Sequence, residues 1–388
     1  MLKKSYTGYK SFDYLSDRRA LKYKLSKEYE RVPSYLVPMT DEQEKRLAAV
    51  IKENPVISLH DHFKILTENV GEIKDYYKTG RICTGFEGIA HSPLDAVFGN
   101  QSLHGANWFD TIHELGMRGC DAMHSGILVK ASTPDDIFKA KQNDQIAWFP
   151  MIEHASMIGD ELDRLDVLFG LGVRMLGLVF SESNAIGGGL SDKYDGGLTF
   201  FGEKVVQRMN DIGFPIDLSH AGDQTTMEAI QLSRQPVFIG HAGSRAVWHT
   251  KRMKPDDVIK ACADKGGVFG IECAPHTTMS HSHPQHDLES VMEHFEYVVD
   301  LVGIDFVTFG PDTMFGDHVG LHKQTADSYC DDSADETFEL SDYVKGCENP
   351  AEVWWNIPRW MIVHGYSDEE IAKVIGGNVL RVIKTILK

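Results

Sequence analysis

The chain has too few of several features that would have fixed its class early. Its six cysteines (Cys83, Cys120, Cys262, Cys273, Cys330, Cys347) are scattered over 388 residues with no C-x-x-C spacing, so neither a zinc–thiolate knot nor a disulfide scaffold is indicated. Positive charge is in deficit. With 39 Lys and Arg against 57 Asp and Glu, the formal charge is −18, which makes nucleic acid and anionic membrane surfaces poor partners. No uninterrupted apolar run reaches membrane-spanning length, and the opening MLKKSYTGYKSFDYLSDRRALKYKLSKEYERV has no apolar core of a secretion signal. The expectation is a cytoplasmic protein with no membrane partner. Internal repeats and low-complexity tracts are missing as well.

What is present is an alternation of strand-like and helix-like segments. Thr40-Asp41-Glu42-Gln43 has the form of a capping box opening a helix with Leu47, Val50 and Ile51 on one face. After Asn54-Pro55 come eight strand candidates, 56–60, 121–128, 147–153, 175–180, 214–219, 236–240, 267–272 and 306–310. Most are separated by helix-period segments such as Asp160–Gly170, Thr225–Ser233, Pro255–Ala263 and Leu288–Val302. That rhythm predicts an α/β fold, a (β/α)8 TIM-type barrel with an N-terminal extension and long loop insertions. The expected division is an extension with its lead-in helix over 1–54 and a barrel with C-terminal helices over 55–388. Residues 63–110 and the acidic segment 316–349 are long for barrel loops; they read equally as functional lids or interface elements and as solvated insertions.

Four strand-like runs each end on a metal-ligand residue: Val56–His62 on His60-Asp61-His62, Trp148–Glu153 on Glu153, Phe214–His220 on His220, and Pro236–His241 on His241. Taken singly, each histidine could be a satisfied core residue. Together they describe ligands at the mouth of a barrel, where such folds place active sites. Strand parity predicts inward rows Val56, Ser58, His60 and His62; Phe149, Met151 and Glu153; Ile216, Leu218 and His220; and Val237, Ile239 and His241.

The ordered set of motifs resembles the membrane (renal) dipeptidase family of zinc peptidases, within the amidohydrolase-like metal-dependent barrels. The residues that carry it are Met151-Ile-Glu153 with Leu171-Gly172-Val173-Arg174, Leu218-Ser219-His220, Pro236-Val-Phe-Ile-Gly-His241, Lys251-Arg252 with Pro255-Asp256-Asp257, Val302-Gly303-Ile304-Asp305 leading to Gly310-Pro311-Asp312, and Gly376-Gly377-Asn378-Val379-Leu380-Arg381-Val382. The resemblance covers roughly 55–388. It implies two divalent metal ions, zinc by preference, with Glu153 bridging them, His60 and His62 on one, His220 and His241 on the other, and a hydroxide clamped between the two. Candidate strands Ala147–Glu153 and Met175–Phe180 contain no lysine, so Glu153 is the bridge to expect rather than a carboxylated lysine. Asp312, at the end of the eighth strand and also near the metals, would move the proton from water to the leaving amine. Arg252 would pair with a substrate carboxylate, and Phe180, Ser181 and Asn184 would surround the rest of a small amide or dipeptide. The family also suggests a homodimer, which the acidic 316–349 segment could form or block.

Three departures stand against the resemblance. The first strand carries His60-Asp61-His62, the H-x-H of other metal-dependent amidohydrolases instead of H-x-D, which makes the site more positive. Phe180 stands where the family has a histidine that holds the carbonyl oxygen, removing a donor whose loss costs roughly 2.7–4 kcal/mol in comparable sites. His124, on the expected second strand, or Ser181 could replace it. Asp312-Thr313-Met314-Phe315 keeps only the first aspartate of D-F-D-G. Three readings follow: a dipeptidase-like hydrolase of a small amide bearing a carboxylate, an amidohydrolase acting on another C–N or ester bond or on an amine, and a non-catalytic relative. His220-Ala-Gly-Asp223 in place of H-x-x-E disfavours deamination.

Overall fold

The computed structural model of the protein describes residues 4–15, 22–100, 107–325 and 341–387. Its strands are β1 (Ile57–Asp61), β2 (Ala96–Asn100), β3 (Leu128–Lys130), β4 (Ile146–Ile152), β5 (Met175–Gly177), β6 (Ile216–Asp217), β7 (Phe238–Ala242), β8 (Val268–Ile271) and β9 (Val307–Phe309). Each neighbouring pair is parallel, in the order β1-β2-β4-β5-β6-β7-β8-β9, while β3 lies off this path beside β4. Backbone hydrogen bonds beyond the last strand bring the two ends together: Asp312 N donates to His60 O (3.1 Å) and His62 N donates to Thr313 O (3.0 Å). The expected eight-stranded α/β barrel is what the chain forms.

Helices return the chain between strands and start where the sequence marks them. Asp41–Glu53 has the predicted box, with Thr40 accepting from Gln43 N and the Gln43 side chain accepting from Thr40 N. Leu288–Val302 begins at a second box built on Asp287 and Ser290. Among the described residues no helix is long and apolar enough to cross a membrane.

One strand expectation is corrected. Residues 121–125 are not strand but the last turn of the helix Trp108–Ser125, which Gly126 ends in the left-handed conformation at φ 73°. Only the side strand β3 follows it. The second barrel strand is Ala96–Asn100, all five residues buried, inside what the sequence offered as the 63–110 insertion. The rest of that connection holds two short helices, Ile73–Tyr77 and Phe86–Ala90. Of the acidic segment 316–349, residues 326–340 lie outside the described residues, and the helix His318–Thr325 precedes them.

The inward rows also differ from expectation on three strands. Phe98 on β2 and Phe238 on β7 belong to strands that are not neighbours, yet their ring centroids are 6.5 Å apart. Both rings therefore point into the barrel, where Phe98 also stacks on Phe149 at 4.9 Å. Val237 and Ile239 consequently face outward, as do Ile216 and Leu218, which pack in the outer layer with Val205, Met209 and Ile259. Ser58 faces outward too, its hydroxyl donating to Asp61 Oδ2 at 2.6 Å. The ligands still reach the interior because regular pairing breaks just before them, with register shifts between Ser58 and Asp61 and between Ile239 and Ala242, while β6 stops at Asp217, three residues before His220. An irregularity of this kind re-aims a side chain. Only β4 keeps the simple parity, Phe149 and Met151 lying inside with Glu153 after them.

Candidate metal centre

Six side chains converge over the C-terminal ends of the strands. His60 Nε2 lies 3.1 Å from Glu153 Oε1 and 3.2 Å from Asp312 Oδ1. His62 Nε2 lies 3.6 Å and 2.9 Å from the same two atoms. On the other side, His220 Nε2 and His241 Nε2 stand 3.9 Å and 3.6 Å from Glu153 Oε1 and 2.9 Å from each other. Two ligand groups result, His60/His62/Glu153/Asp312 and Glu153/His220/His241, and Glu153 belongs to both.

The backbone that aims these groups is unusual where it has to be. Asp312 sits at φ 55°, a left-handed conformation uncommon outside glycine and a form of strain that gathers at functional positions. It is held there from both sides. Asp61, which is not itself among the ligands, accepts from Thr313 N (3.0 Å), Thr313 Oγ1 (2.7 Å) and Trp354 Nε1 (3.1 Å). Phe315 is fully buried beneath Phe86–Ala90, so close that a Cβ at Gly85 or Gly88 would come within 2.3 Å of its ring. The residues that replace the rest of D-F-D-G thus serve to anchor Asp312.

Charge in the centre is balanced in a way that suits a divalent cation. Burial pushes Glu153 and Asp312 upward, but the charges and hydrogen bonds of His60 and His62 outweigh it and hold both well below the usual carboxylate range. Burial by itself would lower His60; the hydrogen bonds it donates to Asp312 and Glu153 carry it up to about 10 instead. His220 and His241 are driven well below the ordinary imidazole value, first by burial and then by the positive charges of Arg252 and His60. Ionised carboxylates and neutral imidazoles are the forms that donate to metal, and a cation here would displace the His60 proton. The donor set of nitrogen and oxygen atoms fits zinc and its first-row neighbours.

The remaining expected residues are placed less uniformly. Phe180 stacks on His220 with centroids 4.2 Å apart and lines a cavity of about 620 Å³ together with Trp108, His154, Met157, Arg164 and Glu182. Ser181 Oγ is buried beside it with no partner among the described residues. Asn184 turns into its own loop, its amide donating to Leu178 O (2.8 Å) and accepting from Ile186 N (2.8 Å). Arg252 is next to the centre but occupied: Nη2 donates to Glu272 Oε2 and to His241 O (3.0 Å). His124 is exposed on the helix Trp108–Ser125, stacked on Tyr9, and takes no part in the centre. Asp223 is held by Arg245 through two hydrogen bonds of 2.6 and 3.0 Å, which removes it from the place of a deaminase carboxylate.

Two residues were missed from the sequence. Asn100, ending β2, donates its amide to Glu153 Oε2. Glu272, the residue after β8, is fully buried between the strands that bear His241 and Asp312. Both follow the rule that exposed the four ligand runs, a polar residue at the C-terminal end of an apolar run. Asn100 was hidden with its strand.

Comparison with known proteins identifies the family. Residues 44–324 match the profile of membrane dipeptidase, peptidase family M19. The chain is 30% identical over 279 residues to dipeptidase verJ of Clonostachys rogersoniana, covering 71% of this chain and 63% of that protein, and 28% identical over 194 residues to dipeptidase 3 of Rattus norvegicus, covering 49% and 33%. These matches span less than two thirds of the relatives' own length. Among solved structures, an amidohydrolase from Pseudomonas aeruginosa superposes with a TM-score of 0.71 at 23% identity over 88% of this chain and 98% of the other. A metallopeptidase from Rhodobacter sphaeroides, liganded with a phosphinate mimic of the dipeptide L-Ala-D-Ala, does so at 0.66 with 17% identity over 86% and 99%; at such identities the likeness is one of fold. On the profile match over most of its length, the chain belongs to the membrane dipeptidase family of metallopeptidases.

Proposed function

We propose that the protein hydrolyses the amide bond of small, dipeptide-sized substrates using two divalent cations, zinc foremost, one in each ligand group. The observation that carries this reading is Glu153 Oε1, which stands within 3.9 Å of all four ligand histidines and is common to both groups. Bound cations would supply Lewis acidity, polarising the scissile carbonyl and acidifying water. The chain's own residues supply the rest. Asp312, ionised and fixed by its backbone, takes the proton of the attacking water as oxygen adds to the carbonyl carbon, then returns it to the amine nitrogen as the C–N bond breaks. Ser181, whose buried hydroxyl has no partner among the described residues, would serve as a donor to the carbonyl oxygen in place of the absent histidine. Phe180 and the cavity beside it favour an apolar side chain next to the scissile carbonyl.

Elemental analysis and an assay on dipeptides with L and D second residues, and on their C-terminal amides, test the reading together. Two equivalents of metal per chain with hydrolysis of at least one of these compounds is the expected result. A fully metallated enzyme that cleaves no amide on the panel, or one that holds no metal after reconstitution, overturns it.

A further inference from the structure

Glu272 is a buried carboxylate that the proposed reaction does not use. Its backbone is pinned on both sides, Glu272 N donating to Ala242 O (2.9 Å) and Cys273 N donating to Pro311 O (2.8 Å). The side chain is fully buried and pairs with Arg252, which also donates to the backbone carbonyl of the ligand residue His241, so it borders the centre. Oε2 receives Arg252 Nη2. The other oxygen, Oε1, is buried with no hydrogen-bond partner of good geometry among the described residues; the nearby Thr277 hydroxyl is turned to Ala274 O at 2.6 Å.

The pair changes what this corner of the site can recognise. A guanidinium reads a carboxylate when its fork is open, but here Glu272 and His241 O occupy Nη2, and Ser219 O lies 3.4 Å from Nη1. A substrate carboxylate reaching the remaining N–H groups of Arg252 would meet a guanidinium already neutralised by Glu272 and would lie beside a second buried anion. An N–H donor meets no such obstacle. It would satisfy Oε1, a buried acceptor that otherwise stays unmet.

Resting on the hydrolase reading above, we propose that Glu272 converts the Arg252 corner from a reader of free carboxylates into a reader of N–H donors, so that preferred substrates carry a carboxamide or ammonium group where a simple dipeptide carries its C-terminal carboxylate. Glu272 is then a specificity residue, and the expected substrates are dipeptide amides or aminoalkyl amides.

Binding without turnover tests this on the metallated protein. Three phosphinate dipeptide isosteres would be compared by calorimetry, one ending in a free carboxylate, one in a carboxamide and one in an aminomethyl group, with wild type and Glu272→Gln at equal metal content. Wild type should bind the carboxamide or the amine at least tenfold more tightly than the carboxylate, the better of the two identifying the donor. Glu272→Gln should lose that preference and gain affinity for the carboxylate. If wild type prefers the carboxylate, the inference falls while the hydrolase reading stands. If the metallated wild type binds none of the three, the hydrolase reading falls and takes the inference with it. The wild-type ranking alone decides the matter should Glu272→Gln fail to fold.

Discussion

In one half of the centre His60 and His62 stand against two carboxylates, Glu153 and Asp312; in the other, His220 and His241 share one, with the Arg252 charge close by. The first half therefore concentrates negative charge and holds a proton on His60, whereas the second keeps both imidazoles neutral by burial and repulsion. A cation entering the first half meets strong attraction and must displace a proton. One entering the second relies on lone pairs and on a carboxylate already engaged next door. Their shared Glu153 makes the halves dependent, and their unequal charge makes them differ in strength.

The largest test removes what the halves share. Glu153→Gln should abolish most metal binding in both halves and nearly all activity, with the circular dichroism spectrum unchanged; full occupancy by elemental analysis in this variant would break the comparison at its root. Asp312→Asn comes next and touches one half. Turnover should fall on the order of 10²–10⁴-fold, as for loss of a general base, and the ion nearer His60 and His62 should weaken while the His220/His241 ion is retained. Equal loss of both ions on titration with a chelator would show that the halves are not distinct.

A smaller effect is expected from the support beneath the bridge. Asn100→Leu removes the donor to Glu153 Oε2 and should lower metal affinity by about 10–100-fold, the usual consequence of losing a hydrogen bond to a ligand; unchanged affinity would mean that the histidines alone orient Glu153. The smallest concerns Phe180, whose ring lies on His220. Phe180→Leu gives up a stacking contact worth roughly 0.5–1.5 kcal/mol, so the His220/His241 ion should bind a few-fold more weakly and its neighbour hardly at all differently. A larger effect on the His60/His62 ion than on this one would reverse the ranking of the halves.

The ligands were legible in the sequence because each closes an apolar run, and apolar runs are what strands leave behind. The reason given for them was less sound. Parity was to carry the side chains inward, yet on β1 and β7 the register shifts immediately before the histidine, and β6 ends three residues short of His220. Local irregularities of two or three residues leave no trace in a period-2 pattern. Residues 121–125 misled for a related reason: Ala122, Ile127 and Leu128 are apolar and close together, but Gly126 at φ 73° marks a helix end, and the short strand Ala96–Asn100 lay unmarked upstream. The engagement of Arg252 was out of reach altogether. Its partner Glu272 is 20 positions away, just beyond β8, and no local pattern joins them.

The clasp at Asp61 has a temporal meaning as well as a spatial one. Asp61 and Thr313 are 252 positions apart, and Asp61 and Trp354 are 293 apart. Contacts of such separation close late, because the entropy of the intervening chain must be overcome before they return anything. Asp312 can face His60 and His62 only once that clasp has formed. On the two-cation reading, a nascent or damaged chain with an open seam between β1 and β9 would hold at most the ligands of one half, so uptake of a first-half ion would be a timestamp for the completed circuit of the barrel, and a protein that has lost its seam would be recognisable by the metal it fails to keep.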